Sequence, residues 1–428
     1  MTAEVAILNK IAVALAADSA ASIGDDAEKI YYTNKLFSLS DFCPVGVMIY
    51  DSVDYLMTPL ETIIKLFRED RKDSTEQTIR DYVDKFISFL GRSQFLNEIT
   101  ERNHIKHVVR GFLSDVKNDV DNIAIEIIGK TGKYPRKSPE RILSEVVRSA
   151  LSELQRADPI KSLSDISQNH VIDTYRTEIE NAIKDILMDF KIDVRLRTKI
   201  YKLVSSALLK GKSDISSGIV MAGFGEQEIF PRLVHVIVDG ALCGKLKYWE
   251  VKDSIIDPVK QTAAIYPFAQ REMVARFVGG VDQDYLNWID ITARKVLTGF
   301  AEELIKTLVL GKSITDKFLK HLPEIVNMTI TEFSKSSEKF RKKKYINPVL
   351  GAVEFLPKEE LANMAEALVS LTSTKRRVSR EKETVGGPVD VAVISKGDGF
   401  VWVKRKQYFR ADLNPQFDAP YWARKGQT

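Results

Sequence analysis

Cysteine, histidine and long apolar runs are all scarce in this sequence. Its 428 residues include two cysteines, Cys43 and Cys243, and five histidines. Both cysteines lie in apolar, strand-like stretches, which predicts buried free thiols in a reducing compartment rather than a disulfide framework. No apolar run is long enough to cross a membrane, and the charged start of a signal peptide is absent. We therefore expect a cytoplasmic protein without membrane contact.

A strong charge of one sign is also missing. The 63 lysines and arginines nearly balance the 59 aspartates and glutamates, for a formal net charge of +4. A dedicated nucleic-acid-binding protein carries a dominant basic patch, so this balance argues against that class. The basic clusters at 335–344 and 404–406 are interpreted as solvated surface, with an acidic partner or nucleic acid as the alternative.

Metal ligands and phosphate-binding motifs are sparse. His104 and His107 have a helical spacing that could share a metal ion, but neither has a cysteine or a carboxylate-rich segment beside it. We interpret them as part of a solvated helix face. The Gly- and Lys-rich segment at 129–135 lacks the full frame of a phosphate-binding loop. We expect no metal and no cofactor.

The first fifty residues hold the most informative pattern. Two short apolar runs flank the polar pair Asn9-Lys10, which predicts a β-hairpin with Thr2 at the mouth of its first strand. Further runs suited to buried strands follow at 29–39 and 44–50. The first of these contains Lys35, a charge that a packed sheet does not bury without compensation.

Thr2, Asp18 and Lys35 together fit the chemistry of an N-terminal nucleophile. A threonine hydroxyl needs a base, and the α-amine of the same residue, with a reference pKa of about 8, supplies one. Removal of Met1, which a small second residue permits, would create that amine. The Lys35 ammonium would stabilise the developing alkoxide, and the Asp18 carboxylate would keep that ammonium charged and oriented.

The same residues carry a resemblance to a known family. Thr2, the alanine-rich run 16–20 that ends Asp-Ser-Ala, and the run 34–37 resemble the start of proteasome β-type subunits and of the bacterial proteasome-like (HslV-type) peptidase. The strand-like pair at 217–240 and the C-terminal segment 357–403 are also similar to that family. The resemblance covers roughly half of the chain.

The resemblance implies a fold, an activity and partners. The fold would be α+β, a four-layer αββα N-terminal-nucleophile sandwich of antiparallel sheets with helical insertions. The activity would be that of a threonine peptidase, which hydrolyses amide bonds of a peptide or protein substrate through an acyl-enzyme. Family members form homo-oligomeric rings, and the bacterial peptidase works with an AAA+ unfoldase. Self-association and an AAA+ unfoldase partner are therefore expectations for this chain.

Further site residues follow from the resemblance alone. The oxyanion donor falls on the backbone amide of Asp51, where the family has glycine, so this chain adds a carboxylate where negative charge would build up. A substrate pocket would be lined by Met48, Ile49 and Tyr50, which fit a plain hydrophobic core equally well. Weaker supporting positions are Ser19, Glu381 and Thr384. The family's serine near Phe268 has no counterpart.

The length predicts two to three domain-sized units. Charged residues alternate with apolar ones at helical period over two long stretches, which predicts helical insertions into a core. The predicted segments are the first part of the core (1–74), a helical insertion (75–212), the core continuation (213–282), a second helical insertion (283–350), the C-terminal helix and strands of the core (351–408) and a tail (409–428).

Two other functions compete with the peptidase. A catalytically weak or inactive scaffold, whose helical insertions bind a protein partner, is favoured by Asp51 and the missing serine. A nucleic-acid-associated protein that uses the basic clusters is disfavoured by the net charge.

Overall fold

The computed structural model describes residues 2–23, 29–39, 43–71, 74–131, 139–308, 311–379, 385–407, 409–410 and 413. The protein is mixed α+β with antiparallel sheets, which confirms the predicted class. The strands are β1 (Ala3–Asn9), β2 (Ala12–Ala17), β3 (Ala20–Ile23), β4 (Lys29–Tyr32), β5 (Leu36–Ser38), β6 (Val45–Asp51), β7 (Asp54–Tyr55), β8 (Thr58–Pro59), β9 (Ser217–Gly223), β10 (Arg232–Leu242), β11 (Lys245–Ile255), β12 (Ala263–Ala269), β13 (Asp390–Ser395) and β14 (Gly399–Lys404). The α-helices are α1 (Leu60–Arg71), α2 (Ile79–Leu90), α3 (Glu98–Thr131), α4 (Pro139–Arg156), α5 (Gln168–Thr174), α6 (Arg176–Ile186), α7 (Val194–Lys210), α8 (Glu272–Gly279), α9 (Gln283–Thr307), α10 (Lys312–Arg341), α11 (Asn347–Val353) and α12 (Lys358–Val378).

The chain divides into two compact units. Unit 1 comprises Met1–Thr33, Asp257–Val393 and Val401–Thr428, and unit 2 comprises Asn34–Ile256 and Ile394–Phe400. The predicted boundaries between core and insertions remain predictions. Among the described residues, no helix has the length and apolar character to span a bilayer.

Most of a five-stranded sheet, in the order β12-β1-β2-β13-β14, belongs to unit 1. The β1–β2 hairpin confirms the prediction from Asn9-Lys10: Leu8 pairs with Val13, and the Asn9 side chain accepts hydrogen bonds from the backbone N–H groups of Ile11 and Ala12, which close the turn. Helix α12 packs on β1 and β2 through an apolar core that excludes water. The buried hairpin therefore gives Thr2 a rigid support.

Unit 2 contains a second five-stranded sheet, in the order β11-β10-β9-β6-β5. Helices α1 and α2 cover one face of it, where Val47 and Ile49 pack in a core with Phe67 and Phe86. Helices α3, α4, α6 and α7 enclose a separate core. Their apolar spacing was visible in the sequence because these helices bury one stripe each.

The predicted continuous strand at 29–39 is broken in the structure. β4 pairs with β3 in a two-stranded sheet, whereas β5 pairs with β6. The intervening residues 33–35 are not strand. The polar residues Thr33, Asn34 and Lys35 separate two strand-forming halves, and each half has a different hydrogen-bonding partner.

The residues from 268 to 278 divide between a strand and a helix. Phe268 belongs to β12, which pairs with β1 at the edge of the sheet, and α8 starts at Glu272. Pro267, opposite Val5, is compatible with an edge strand because such a strand has backbone N–H groups that need no partner. The apolar spacing at 171–190 likewise covers two helices, α5 and α6, with Tyr175 between them.

Candidate active site

Thr2 lies at the start of β1 in unit 1, and its side chain is buried with 4% of its surface exposed. The Thr2 carbonyl accepts a hydrogen bond from the backbone N–H of Gln270, at 3.1 Å. On the other side, the backbone N–H of Asp18 donates to the carbonyl of Ala3, at 3.1 Å. Thr2 is therefore held between the flanking strands β12 and β2.

The carboxylate of Asp18 binds two backbone N–H groups. Oδ1 accepts from the N–H of Ala3 at 3.1 Å, and Oδ2 accepts from the N–H of Gly386 at 2.9 Å. Asp18, itself buried, thus joins the residue after Thr2 to the segment that precedes β13.

Ser19 strengthens the same connection. Its hydroxyl donates to the carbonyl of Pro388 at 2.6 Å, and its backbone N–H donates to the carbonyl of Gly386 at 3.3 Å. Its position supports the local backbone next to Asp18. The other two supporting positions, Glu381 and Thr384, lie outside the described residues.

Lys35 belongs to unit 2, where it lies directly before β5. Its side chain is among the largest that are fully buried, with 1% exposed, and its carbonyl accepts from the N–H of Ile49 at 2.9 Å. Burial of an ammonium is costly unless it is compensated. Thr2 and Asp18 belong to unit 1, so the three predicted catalytic residues are divided between the two units.

Asp51 ends β6 and adopts a left-handed backbone conformation with φ of 64°. This is the region that glycine enters without steric cost and that aspartate tolerates better than most residues. The Asp51 carboxylate forms an ion pair with Lys212, at 2.9 Å, on the surface of unit 2. Asp51 therefore has a backbone conformation typical of glycine, and its carboxylate is paired with Lys212.

Met48, Ile49 and Tyr50 are consecutive buried residues of β6. Because successive side chains of a strand point to opposite faces, Ile49 faces the core under α1 and α2, whereas Met48 and Tyr50 face the other side. The Tyr50 hydroxyl lies 2.6 Å from Nε2 of His235. The pocket assignment of these three residues remains a prediction.

A buried ion pair in unit 2 was not predicted from the sequence. Nζ of Lys247 lies 2.7 Å from the carboxylate of Asp239 and donates to the carbonyl of Gly211 at 2.6 Å. Ser213 donates to the same carboxylate through its N–H, at 3.1 Å, and through its hydroxyl. Burial alone would raise the pKa of Asp239, but Lys247 and Ser213 together lower it.

His104 lies beside this ion pair, and the interpretation as a solvated helix face is wrong for it. The side chain is buried against Gly240, where an added Cβ would come within 2.2 Å of Nε2. Burial lowers the pKa of His104 to about 4, although the nearby Asp239 carboxylate opposes this effect. The interpretation holds for His107, which is exposed. Spacing along α3 could not distinguish His104 from His107, because the burial of His104 depends on its packing against β10.

A cleft of about 340 Å³ in unit 2 begins directly after Asp51. Its lining combines the loop after β6 with the first turns of α3, and includes Ser52, Met57, Asn103, His104 and His107. Leu56 and Met57, on its rim, have positive φ values of 45° and 68°. These two residues form the turn between β7 and β8, and positive φ at both positions is the ordinary geometry of a two-residue hairpin turn. The sequence carried no signal for this cleft.

Both cysteines are free thiols. Cys43 is buried, and Cys243 is half-buried. In the part of the chain that the structure describes, no cluster of three or more His, Cys, Asp or Glu side chains has an arrangement that could hold a metal ion.

No protein-family model and no curated protein matches this chain. Two solved structures are similar along its whole length. One is Anbu (ancestral beta-subunit) from Yersinia bercovieri, at 9% identity, covering 100% of this chain and 97% of that chain. The other is a helical assembly of the Anbu complex from Pseudomonas aeruginosa, at 11% identity, covering 100% and 96%. Both have a TM-score of 0.28, which is too low to support a conclusion about fold or function.

These comparisons correct the resemblance drawn from the sequence. The assignment to proteasome β-type subunits and the HslV-type peptidase is wrong, because no family model or curated protein supports it and the structures found are Anbu chains at a low score. The signature was three polar residues on alanine- and valine-rich runs. Buried strands use few residue types, so runs of this kind do not by themselves assign a family.

Proposed function

We propose that this protein is an N-terminal-nucleophile amide hydrolase, a threonine peptidase that acts through Thr2. The observation that carries the proposal is the Asp18 carboxylate, which accepts the N–H of Ala3 at 3.1 Å next to a buried Thr2 at the start of a rigid strand. A nucleophile must be held in one orientation to benefit from proximity to its base. The proposed fold is the four-layer αββα sandwich of this hydrolase type.

The reaction begins with attack of Thr2 Oγ1 on the substrate carbonyl carbon. The α-amine of Thr2, free once Met1 is removed, takes the hydroxyl proton and later donates it to the leaving amine. The C–N bond of the substrate breaks, and an ester forms on Thr2. Water then attacks this ester with the same amine as base, which releases the carboxylic acid and restores the hydroxyl.

Lys35, Asp18 and Asp51 have supporting roles in the proposal. In the proposal the charge of the Lys35 ammonium favours the alkoxide, and Asp18 fixes the backbone after Thr2 through its bond with the N–H of Ala3. The backbone N–H of Asp51 is the proposed donor to the oxyanion. The left-handed conformation at Asp51 supports this role, since it gives the peptide an orientation that an ordinary strand end lacks.

Peptides or unfolded proteins are the proposed substrates, and self-association is the proposed way to restrict access to the nucleophile. We propose no AAA+ unfoldase partner, because that expectation came only from the resemblance.

The test combines mass spectrometry of the intact N-terminus with turnover of fluorogenic peptides. We expect a mass without Met1, measurable turnover by the purified chain, complete loss in Thr2→Ala and partial retention in Thr2→Ser. The matched control is Thr198→Ala, an exposed threonine on α7. Retained methionine, or equal turnover by Thr2→Ala and the native chain, would refute the proposal and favour the non-catalytic scaffold.

A further inference from the structure

A cavity of about 150 Å³ lies within unit 2, where it is lined mainly by helices α3 and α7. Its buried lining is apolar and includes Val109, Val204 and Leu208. Phe112 from α3 and Ile215 from the segment after α7 extend the apolar lining. An apolar protein cavity of about this volume holds a benzene molecule, so this one has room for an aromatic ring.

Small residues on both helices keep this cavity open. Gly111 lies in the interior of α3, where glycine is less favourable than any residue except proline. A Cβ built at Gly111 meets no atom within 4 Å. On α7, Ala207 contributes only a methyl group to the lining. The helix therefore accepts a glycine at a position where a larger side chain would fit.

Two carboxylates, here called the rim carboxylates, are the exposed acids of the lining. They belong to Asp115 on α3 and to Asp214 after α7. Neither forms an ion pair or a side-chain hydrogen bond with any residue that the structure describes. Burial raises the pKa of Asp115, and the nearby Asp214 and Asp119 carboxylates raise it further. Like charges thus lie close together without a cation between them.

The two lysines of the lining already have carboxylate partners. Lys212 pairs with Asp51 at 2.9 Å, and the buried Lys247 pairs with Asp239 at 2.7 Å. Each of these charges is balanced, so the rim carboxylates leave the lining with an excess of negative charge. His107 adds an exposed imidazole, which in its neutral form accepts a hydrogen bond.

We propose that this cavity binds an organic primary amine with an apolar body the size of one aromatic ring. The apolar body fills the space between α3 and α7, beside Gly111 and Phe112. The ammonium group lies at the rim, where its three N–H donors reach Asp115 and Asp214 and relieve the repulsion between them.

Other classes of ligand fit the lining less well. A carboxylate or phosphate would be repelled by the rim carboxylates and would find both lysines already paired. A metal ion has too few ligands here, because no group of three or more His, Cys, Asp or Glu side chains within the described ranges could hold one. The proposal is independent of the catalytic one, since neither rim carboxylate belongs to the candidate active site.

The test is isothermal titration calorimetry of the full chain with three probes of similar size. Phenethylamine should bind saturably at one site, with a Kd below about 1 mM. Phenethyl alcohol, which is neutral, and hydrocinnamate, which is an anion, should each bind at least roughly fivefold more weakly, because neither forms an ion pair with the rim carboxylates.

Two variants locate the site and test each part of the ligand. Asp115→Asn combined with Asp214→Asn should weaken the amine to the level of the alcohol and leave the affinity for the alcohol unchanged. Gly111→Leu should fill the cavity and abolish binding of both probes, while the urea unfolding midpoint stays equal or rises, because leucine favours a helix. The control is Asp121→Asn, an exposed acid of α3 outside the lining, which should bind like the native chain.

Absence of saturable phenethylamine binding to the native chain would overturn the proposal. Equal affinities for the three probes would do the same, as would unchanged amine binding in Gly111→Leu or in the doubly substituted variant. Thr2→Ala should bind phenethylamine like the native chain, so this result is separate from the fate of the catalytic proposal.

Discussion

The carboxylate of Asp18 accepts a hydrogen bond from the backbone N–H of Ala3, 3.1 Å away, while its other oxygen accepts from Gly386. One buried side chain thus fixes the strand that begins after Thr2 and also the segment before β13. It links the two ends of the chain within unit 1.

Asp18→Asn should lower both stability and turnover. An asparagine side chain has one acceptor oxygen, so one of the two N–H groups would face an amide NH₂ and lose its bond. A buried donor left without a partner costs about 1–3 kcal/mol. Urea unfolding measures this loss, and Asp185→Asn, which removes only an exposed ion pair with Arg110, is the control. Equal unfolding midpoints for both variants would contradict the proposed role.

Asp51→Gly should raise turnover. Glycine adopts the left-handed conformation without the cost that a Cβ brings, about 1 kcal/mol, and removes a carboxylate from the place where negative charge is proposed to build up. Loss of the exposed pair with Lys212 matters little. Steady-state kinetics on fluorogenic peptides measures the effect. Asp51→Asn separates charge from conformation, because it removes the carboxylate and keeps a residue that tolerates positive φ. A lower kcat/KM in Asp51→Gly would argue against the amide as oxyanion donor.

His104 should make stability depend on pH between about 4 and 6.5. Burial lowers the pKa of the folded form to about 4, from an ordinary value of 6.5. The unfolded chain therefore binds the proton more tightly in this range, so the free energy of unfolding rises with pH and is fully present above 6.5. The total is roughly 3 kcal/mol at 1.36 kcal/mol per pKa unit.

The measurement compares urea unfolding at several pH values. His104→Gln should flatten the rise between pH 4 and 6.5, whereas His107→Gln, an exposed position one turn along α3, should leave it unchanged. An identical slope in all three proteins would show that His104 is not buried as described.

The pair Asp239 and Lys247 should show strong coupling in a double-mutant cycle. Asp239→Asn leaves a buried ammonium and Lys247→Met leaves a buried carboxylate, and each single change should cost about 3–5 kcal/mol. The double variant should cost clearly less than the sum, because no unpaired charge remains. The exposed pair Lys117 and Asp189 is the matched control, with a coupling energy near zero. Additive losses at Asp239 and Lys247 would contradict a buried ion pair.

Sequence patterns predicted the positions of strands and helices better than they predicted which strands pair with each other. The β1–β2 hairpin followed from two apolar runs and a polar pair, and the long amphipathic helices followed from their 3.6-residue spacing. The break at 33–35 was not predictable in the same way, because strand propensity does not say with which strand a segment pairs. β12 was missed for a related reason: Pro267 is acceptable only because the strand lies at an edge.

In the candidate site, too, residue types were predictable from the sequence and long-range contacts were not. Thr2, Asp18 and Lys35 were selected because their chemistry is unusual on buried strands, and that selection depends on residue type alone. The two N–H groups that Asp18 binds belong to residues 3 and 386, and no local pattern could connect them. His104 and His107 are equally helical in the sequence, yet β10 buries only the first.

By itself, the amino-acid order determined which segments form strands and helices and which polar residues stand out on them. Local sterics and the burial of one face per element are encoded within a few neighbouring residues. Only the tertiary structure decided that Asp18 binds the backbone N–H groups of both Ala3 and Gly386, and that Lys247 meets Asp239. These relationships join residues far apart in the chain, where the energy depends on packing and desolvation rather than on local propensity.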